Sequence, residues 1–101
     1  MMIHVFDLRL NTETREVFRA QKKIYLTKQE FKLLQLLLEN INKPVSRQQI
    51  LKHIWHASGN MKTRIVDVYI GYLRNKIDHG FSKPLIKTLH GKGYMIAANN
   101  L

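Results

Sequence analysis

The sequence predicts an α+β fold in which short strands lead into three helices and a closing β-hairpin. Three observations carry that prediction. At Thr27 the apolar spacing changes from short broken runs to a helical period. Two capping boxes, Thr27-Lys28-Gln29-Glu30 and Ser46-Arg47-Gln48-Gln49, each stand directly before an apolar stripe. Near the end, the two glycines of His90-Gly91-Lys92-Gly93 separate two short β-rich runs, supplying the positive φ that a hairpin turn needs.

Residues 1–26 read as a small antiparallel meander. Ile3, Val5, Leu8 and Leu10 punctuate a first stretch, and Asn11-Thr12-Glu13-Thr14 is turn-like. Val17-Phe18 follows, then polar Gln21-Lys22-Lys23, then Ile24-Tyr25-Leu26. From Thr27, the residues Phe31, Leu34, Leu37, Leu38 and Ile41 recur on one helical face, and Lys43-Pro44 ends that helix. The second helix carries Ile50, Leu51, Ile54 and Trp55 on its apolar face, and Ser58-Gly59-Asn60 stops it. Trp55 reads as core or rim packing rather than a nucleotide platform.

The third helix runs from about 61–64 to Asp78 and is the most informative. Val66, Ile70, Leu73 and Ile77 fall within a narrow arc, while Arg64, Val68, Gly71 and Asn75 lie opposite, with Tyr72 beside them. The outward stripe begins with an arginine and thereafter carries only small or uncharged groups. A solvated helix face is ordinarily filled with Glu and Lys; this one fits a narrow space. After Pro84, Leu85–Leu89 and Tyr94–Ala97 read as strands joined by a turn with Lys92 at its tip, flanked by Lys87 and His90.

A chain of 101 residues suits one domain, here 1–101, divided into an N-terminal sheet (1–26), a helical core (27–78) and a terminal hairpin (85–97). The absence of cysteine excludes disulfides and thiolate metal sites. No run approaches the roughly 20 apolar residues of a membrane span, and no leader is evident at Met1, so no membrane partner is expected and the cytoplasm is the default location. The formal net charge is +10. It is concentrated after residue 26, where twelve Lys and Arg face only Glu30, Glu39, Asp67 and Asp78. Such a balance points first to nucleic acid, and second to anionic membranes or acidic proteins.

An enzyme is not expected. Glu30 is used as a cap, Asp67 is placed to hold an arginine, no nucleophile and base stand at useful spacing, and Gly91-Lys92-Gly93 is too short for a phosphate loop. His53 and His56 stand three apart on a helix and could pair on a metal, but no carboxylate or thiolate lies nearby in sequence, and a wet helix face is the plainer reading. No metal and no cofactor are therefore expected. A single-stranded RNA reader would need aromatics exposed on a sheet, whereas these lie mostly in apolar seams, Tyr72 being the main exception.

Two short capped helices before a longer one with an outward stripe fit a helix-turn-helix arrangement, although the connection from Trp55 to Met61 is longer than the simple 3–4-residue turn. A hairpin beside the third helix would be a wing. Four stretches carry a family resemblance: Leu26-Thr27-Lys28-Gln29-Glu30-Phe31-Lys32-Leu33-Leu34, then Val45 to Leu51 with Ile54-Trp55, then Arg64 to Ile70 with Leu73 to Ile77, and Ile86 to Tyr94. In that order they resemble the OmpR/PhoB-type winged-helix effector domains of bacterial two-component response regulators.

The resemblance implies a winged helix-turn-helix with an N-terminal four-stranded antiparallel sheet, acting as a sequence-specific DNA-binding output domain in a phosphorelay. The third helix would enter the major groove and the wing would reach the adjacent minor groove or backbone. It further implies head-to-tail dimers on direct-repeat half-sites of double-stranded DNA, and a loop at 56–61 that can face RNA polymerase. A receiver domain would be separate, so the chain is expected to be either an effector domain alone or a free-standing regulator.

Carried over by position, Arg64, Val68, Gly71 and Tyr72 would meet bases or the groove floor, and Arg74, Lys76 and Tyr94 would approach the backbone. Thr88 and His90 would contact DNA from the wing, with Lys92 at its tip. His90 stands where an arginine is common, which makes the charge there depend on pH. Tyr69 stands where a histidine is common. Arg64 could take guanine O6 and N7 in a bidentate pair, or clamp a phosphate. Val68 could touch a thymine methyl, or be an isolated exposed valine. Gly71 suits close approach of the helix. Five phosphate contacts, from Arg47, Lys62, Arg74, Lys76 and Lys92, would give a slope of log K against log salt of about −4 to −5.

Overall fold

The computed structural model describes residues 1–56 and 62–98. The chain opens with four strands, β1 (Met2–Val5), β2 (Leu8–Asn11), β3 (Val17–Arg19) and β4 (Lys22–Ile24). They pair in sequence order as an antiparallel sheet. Three helices follow, α1 (Lys28–Glu39), α2 (Arg47–Trp55) and α3 (Arg64–Ile77), and then the hairpin of β5 (Ile86–Leu89) and β6 (Gly93–Ile96). This is the winged helix-turn-helix architecture expected from the sequence.

The meander differs in detail from its sequence outline. Its first apolar stretch is two strands, split at Phe6-Asp7, and Lys22-Lys23 belongs to β4 rather than to a break. The turns at these places carry no glycine or Asn-Gly signal; Phe6 and Ala20 take the left-handed conformation themselves, at φ 52° and 55°. Lys22 and Lys23 point to solvent from an edge strand, where lysines discourage pairing with another chain. Tyr25 lies beyond the strand and is 75% exposed.

Both predicted capping boxes form. In α1 the Glu30 amide donates to Thr27 Oγ1 (3.3 Å) and the Thr27 amide to Glu30 Oε1 (2.8 Å). In α2 the Gln49 amide donates to Ser46 Oγ (3.1 Å) and the Ser46 amide to Gln49 Oε1 (2.9 Å). Helix α1 stops at Glu39, earlier than Pro44 requires, and Asn40 donates its side-chain amide back to the Leu36 carbonyl (2.9 Å). Helix α2 ends with His56 in the left-handed conformation. The predicted stop at Ser58-Gly59-Asn60 lies outside the described residues.

Helix α1 is the hub, with Phe31, Leu33, Leu34, Leu36, Leu37 and Leu38 all buried. It packs against α3, α2 and β6. On α3 the predicted seam is the buried one: Val66, Leu73 and Ile77 have no exposure and Ile70 has 1%.

An unpredicted ion pair joins the sheet to the far end of α3. Arg19 is fully buried. Its Nε donates to Asp7 Oδ1 (2.5 Å), its Nη1 to the Ile77 carbonyl and to Asp78 Oδ1, and its Nη2 to the Lys83 carbonyl. Asp78 in turn accepts from the amides of Leu85 (2.9 Å) and Ile86 (3.1 Å), which starts β5. One guanidinium thus fastens the sheet, the end of α3 and the root of β5.

A second link runs from Glu30, where Oε1 also accepts from Lys76 Nζ at 2.6 Å. Burial pushes this carboxyl up, but the hydrogen bonds from Lys76 and Thr27 outweigh it, and the group titrates below its ordinary range. The ionised form is therefore favoured by folding. Its contribution is complete above the unfolded pKa and is lost as pH falls through the depressed folded value.

Three outcomes are expected. Arg19→Met, which strands Asp78 in the interior, should cost about 3 kcal/mol and lower the melting midpoint by roughly 10 °C or more by calorimetry. Thr27→Ala should cost about 1 kcal/mol in denaturant unfolding. Glu30→Gln should be less stable than the parent at neutral pH, and the deficit should close as the solution is acidified.

Candidate nucleic-acid interface

The third helix presents two opposite characters, and its buried seam decides which side faces out. Arg64 and Gly71 are exposed, Val68 is 41% exposed and Tyr72 is 49% exposed. A Cβ built on Gly71 would meet nothing within 4 Å, so the glycine leaves bare helix backbone on the outer surface. Tyr72 is held edge-on by Tyr69 (centroids 5.1 Å from Trp55 to Tyr69, 5.3 Å from Tyr69 to Tyr72), a ladder that leads back to the end of α2. Trp55 is therefore rim packing, as its place in the sequence suggests.

The hairpin stands beside this face. Leu89 pairs with Gly93 across the turn residues His90, Gly91 and Lys92, all of which are exposed. Gly91 takes φ 79° in the turn. Gly93 is needed for a different reason: a Cβ there would lie 2.0 Å from the Val45 carbonyl oxygen. That close approach lets Tyr94 and Val45 exchange backbone hydrogen bonds of 2.8 and 3.0 Å, binding β6 to the chain just before α2. The wing is thereby fixed to the start of α2 as well as to α3.

The side chains around the groove form one connected set. Asp67 Oδ1 accepts from Arg47 Nε (2.7 Å) and from the Tyr94 hydroxyl (2.6 Å). Arg74 Nη2 donates to Thr88 Oγ1 (2.7 Å) and to the Ile86 carbonyl (3.2 Å). The Arg47 and Arg74 guanidiniums lie 5.9 and 5.6 Å from the Tyr94 ring centre. The Arg47 guanidinium, bonded to Asp67, is pushed further toward its charged form. Burial and the bond to Asp67 together push the Tyr94 phenol up, so it remains a donor. Between the first turn of α2 and the wing lies an open groove of about 360 Å³, lined by Arg47, Thr63, Thr88, His90 and Lys92 among others.

The structure thus gathers Arg64, Val68, Gly71 and Tyr72 on one face, and Arg47, Thr88, His90 and Lys92 around the adjoining groove. Lys62 is exposed just before α3. Two residues expected near the backbone are engaged inward: Lys76 pairs with Glu30, and the half-buried Arg74 holds the wing. Tyr94 is only 5% exposed, its hydroxyl turned to Asp67. Asp67 holds Arg47, as its position on the flank of α3 suggests; its second bond, to a residue 27 positions later, leaves no trace in local sequence.

His53 and His56 line a separate pocket of about 610 Å³ between the end of α1 and one side of α2, with no residue of α3 or the hairpin in its lining. Among the described residues no three His, Cys, Asp or Glu are grouped to hold a metal, and no helix is long and apolar enough to cross a membrane.

Comparison with known proteins agrees with this geometry. Residues 21–96 match the family described as transcriptional regulatory protein, C terminal. The chain is 44% identical over 90 residues to the uncharacterized transcriptional regulatory protein YkoG of Bacillus subtilis, covering 89% of this chain and 40% of that one. The chain therefore spans less than half the length of that relative. Among solved structures, it is similar to the response regulator DrrB, an OmpR/PhoB homolog of Thermotoga maritima, with a TM-score of 0.85 and 33% identity, covering 96% of this chain and 44% of that one. It is also similar to the RstA DNA-binding domain of Klebsiella pneumoniae, solved in complex with the RstA box, with a TM-score of 0.86 and 28% identity over 95% of this chain and 96% of that one. With its wing fixed beside a helix that is buried on one side and bare on the other, the chain belongs to the OmpR/PhoB-type winged-helix DNA-binding domains of transcriptional regulatory proteins.

Proposed function

We propose that this domain reads double-stranded DNA by laying α3 in the major groove, with Arg64, Val68, Gly71 and Tyr72 toward the bases and the wing on the neighbouring minor groove or backbone. The observation that carries this reading is the outward face of α3, bare at Gly71 and headed by Arg64, set beside a cationic hairpin. The major groove admits a helix whose side chains then read base edges. Gly71 favours close approach of the helix axis to the groove floor. The RstA domain, solved with its DNA box, supports the same use of this fold.

Arg47, Lys62 and Lys92 are the backbone contacts we favour, with Thr88 and His90 beside them on the wing. Arg74, Lys76 and Tyr94 serve first as supports, because their polar ends are bonded within the domain and they are less exposed than Arg47, which stays exposed beside its bond to Asp67. In the whole protein the domain would act in the cytoplasm as the output of a phosphorelay. It would bind direct-repeat half-sites as a head-to-tail dimer; the stretch expected to face RNA polymerase, 56–61, lies outside the described residues but for His56. The family is one of transcription regulators, and no catalytic role is proposed.

Binding measured by anisotropy on a duplex selected from a random pool should fall with salt at a slope of about −3, from three phosphate contacts at about −0.9 each. A slope of about −4 to −5 would return Arg74 and Lys76 to the backbone set, and a flat response, or equal binding to single strands, would sink the duplex reading. Lys92→Ala should weaken all duplexes alike and lower the slope by about 1. Arg64→Ala should instead relax preference at one base position by about 1–3 kcal/mol, read by repeating the selection.

A further inference from the structure

Asp67 is an acid on a face that meets a polyanion. Charge alone makes it a liability there, since it cancels a cation and repels phosphate. Its geometry gives it another use. A single oxygen, Oδ1, accepts from Arg47 on α2 and from Tyr94 on β6, while the residue itself sits in the first turn of α3. Among the described residues, no other side chain hydrogen-bonds to both α2 and the wing. Its two partners are held in turn. The Tyr94 backbone is locked to Val45, and its ring lies near the guanidiniums of both Arg47 and Arg74.

We propose that Asp67 is a positioning residue for recognition: it sets Arg47 and the wing at a fixed distance from the face of α3, so that groove and backbone contacts form together. This rests on the DNA reading above and adds to it a residue that touches no DNA. A long arginine left free would have to be ordered at the moment of binding, and a wing free to tilt would meet the backbone in many registers. Asp67 orders both beforehand, and it stays charged to do so. Burial raises its carboxyl, but the hydrogen bonds from Tyr94 and Arg47, with the charges of Arg47 and Arg64, hold it below the usual carboxylate range. The consequence is discrimination: a matched duplex benefits from simultaneous contacts, whereas a shuffled duplex, held by charge, does not need them.

Positioning and plain electrostatics predict opposite signs for Asp67→Asn. The variant removes one negative charge from the binding face, so electrostatics alone tightens every duplex. Positioning predicts that affinity for a duplex selected by the parent chain falls about tenfold, the scale of a lost charge-assisted hydrogen bond, while a shuffled duplex binds as well as before or better. Tyr94→Phe leaves the charge and the ring in place and removes only one of the two bonds; it should lose about fivefold on the selected duplex and nothing on the shuffled one. A DNA-free measurement accompanies these. The Arg47 Nε proton should be visible and slow to exchange by NMR in the parent and in Tyr94→Phe, and lost in Asp67→Asn, with far-UV spectra superimposable.

The proposal is overturned if Asp67→Asn tightens both duplexes, if the ratio of selected to shuffled binding is unchanged in both variants, or if the Arg47 signal persists without Asp67. A parent chain that fails to distinguish the two duplexes at all would instead overturn the underlying DNA reading.

Discussion

Burial of the Val66–Ile70–Leu73–Ile77 seam against the leucine-rich hub of α1 sets the rotation of α3 about its own axis, and the rest of the functional surface follows from that rotation. A helix can bury only one side of itself. Four side chains withdrawn almost completely from water contribute on the order of 1.5–3 kcal/mol each, far more than any surface pair could offer in exchange for a different facing. Once the seam is inside, Arg64, Val68, Gly71 and Tyr72 must point out. Their exposure is a consequence of what the opposite side buries.

Rotation alone does not make an interface; the hairpin has to stand at the correct place beside the helix. Polar interactions do this work together with the burial of Leu85, Ile86 and Ile96 in the core. Arg19 and Asp78 secure the root of β5 to the end of α3 and to the sheet. Arg74 holds Thr88 halfway along, and the Tyr94–Val45 pairing carries β6 over to α2. Buried and half-buried charged groups of this kind tolerate few alternative geometries, because an unpaired partner would be left desolvated. They therefore favour a single setting of wing against helix.

Much of the architecture was legible from local signals. Thr27 with Glu30 and Ser46 with Gln49 act across three residues, so each capping box could be read directly and each forms. The seam of α3 and its outward stripe followed from the 100° step between residues. The face of candidate base readers was legible for the same reason. The meander was read less well: Phe6 and Ala20 turn the chain without the residues that usually announce a turn, and Lys22-Lys23 looked like a break because an edge strand tolerates lysine. Even Arg19 had a signal, since it shares a strand face with buried Val17, but a lone arginine gives no hint of where its partner lies.

What sequence by itself determined here is everything that depends on neighbours a few positions apart: helix starts, the side each helix buries, the glycine turn of the wing and the excess of cations after residue 26. Tertiary structure alone decided which partner each of those cations meets. Lys76 is taken by Glu30, 46 positions away, Arg74 by Thr88, 14 away, and Arg47 by Asp67, 20 away. Such pairs leave no periodic imprint, because an ion pair or hydrogen bond needs only two groups brought within a few ångströms. It is the packing of the helices, through side chains of a different kind, that brings them there.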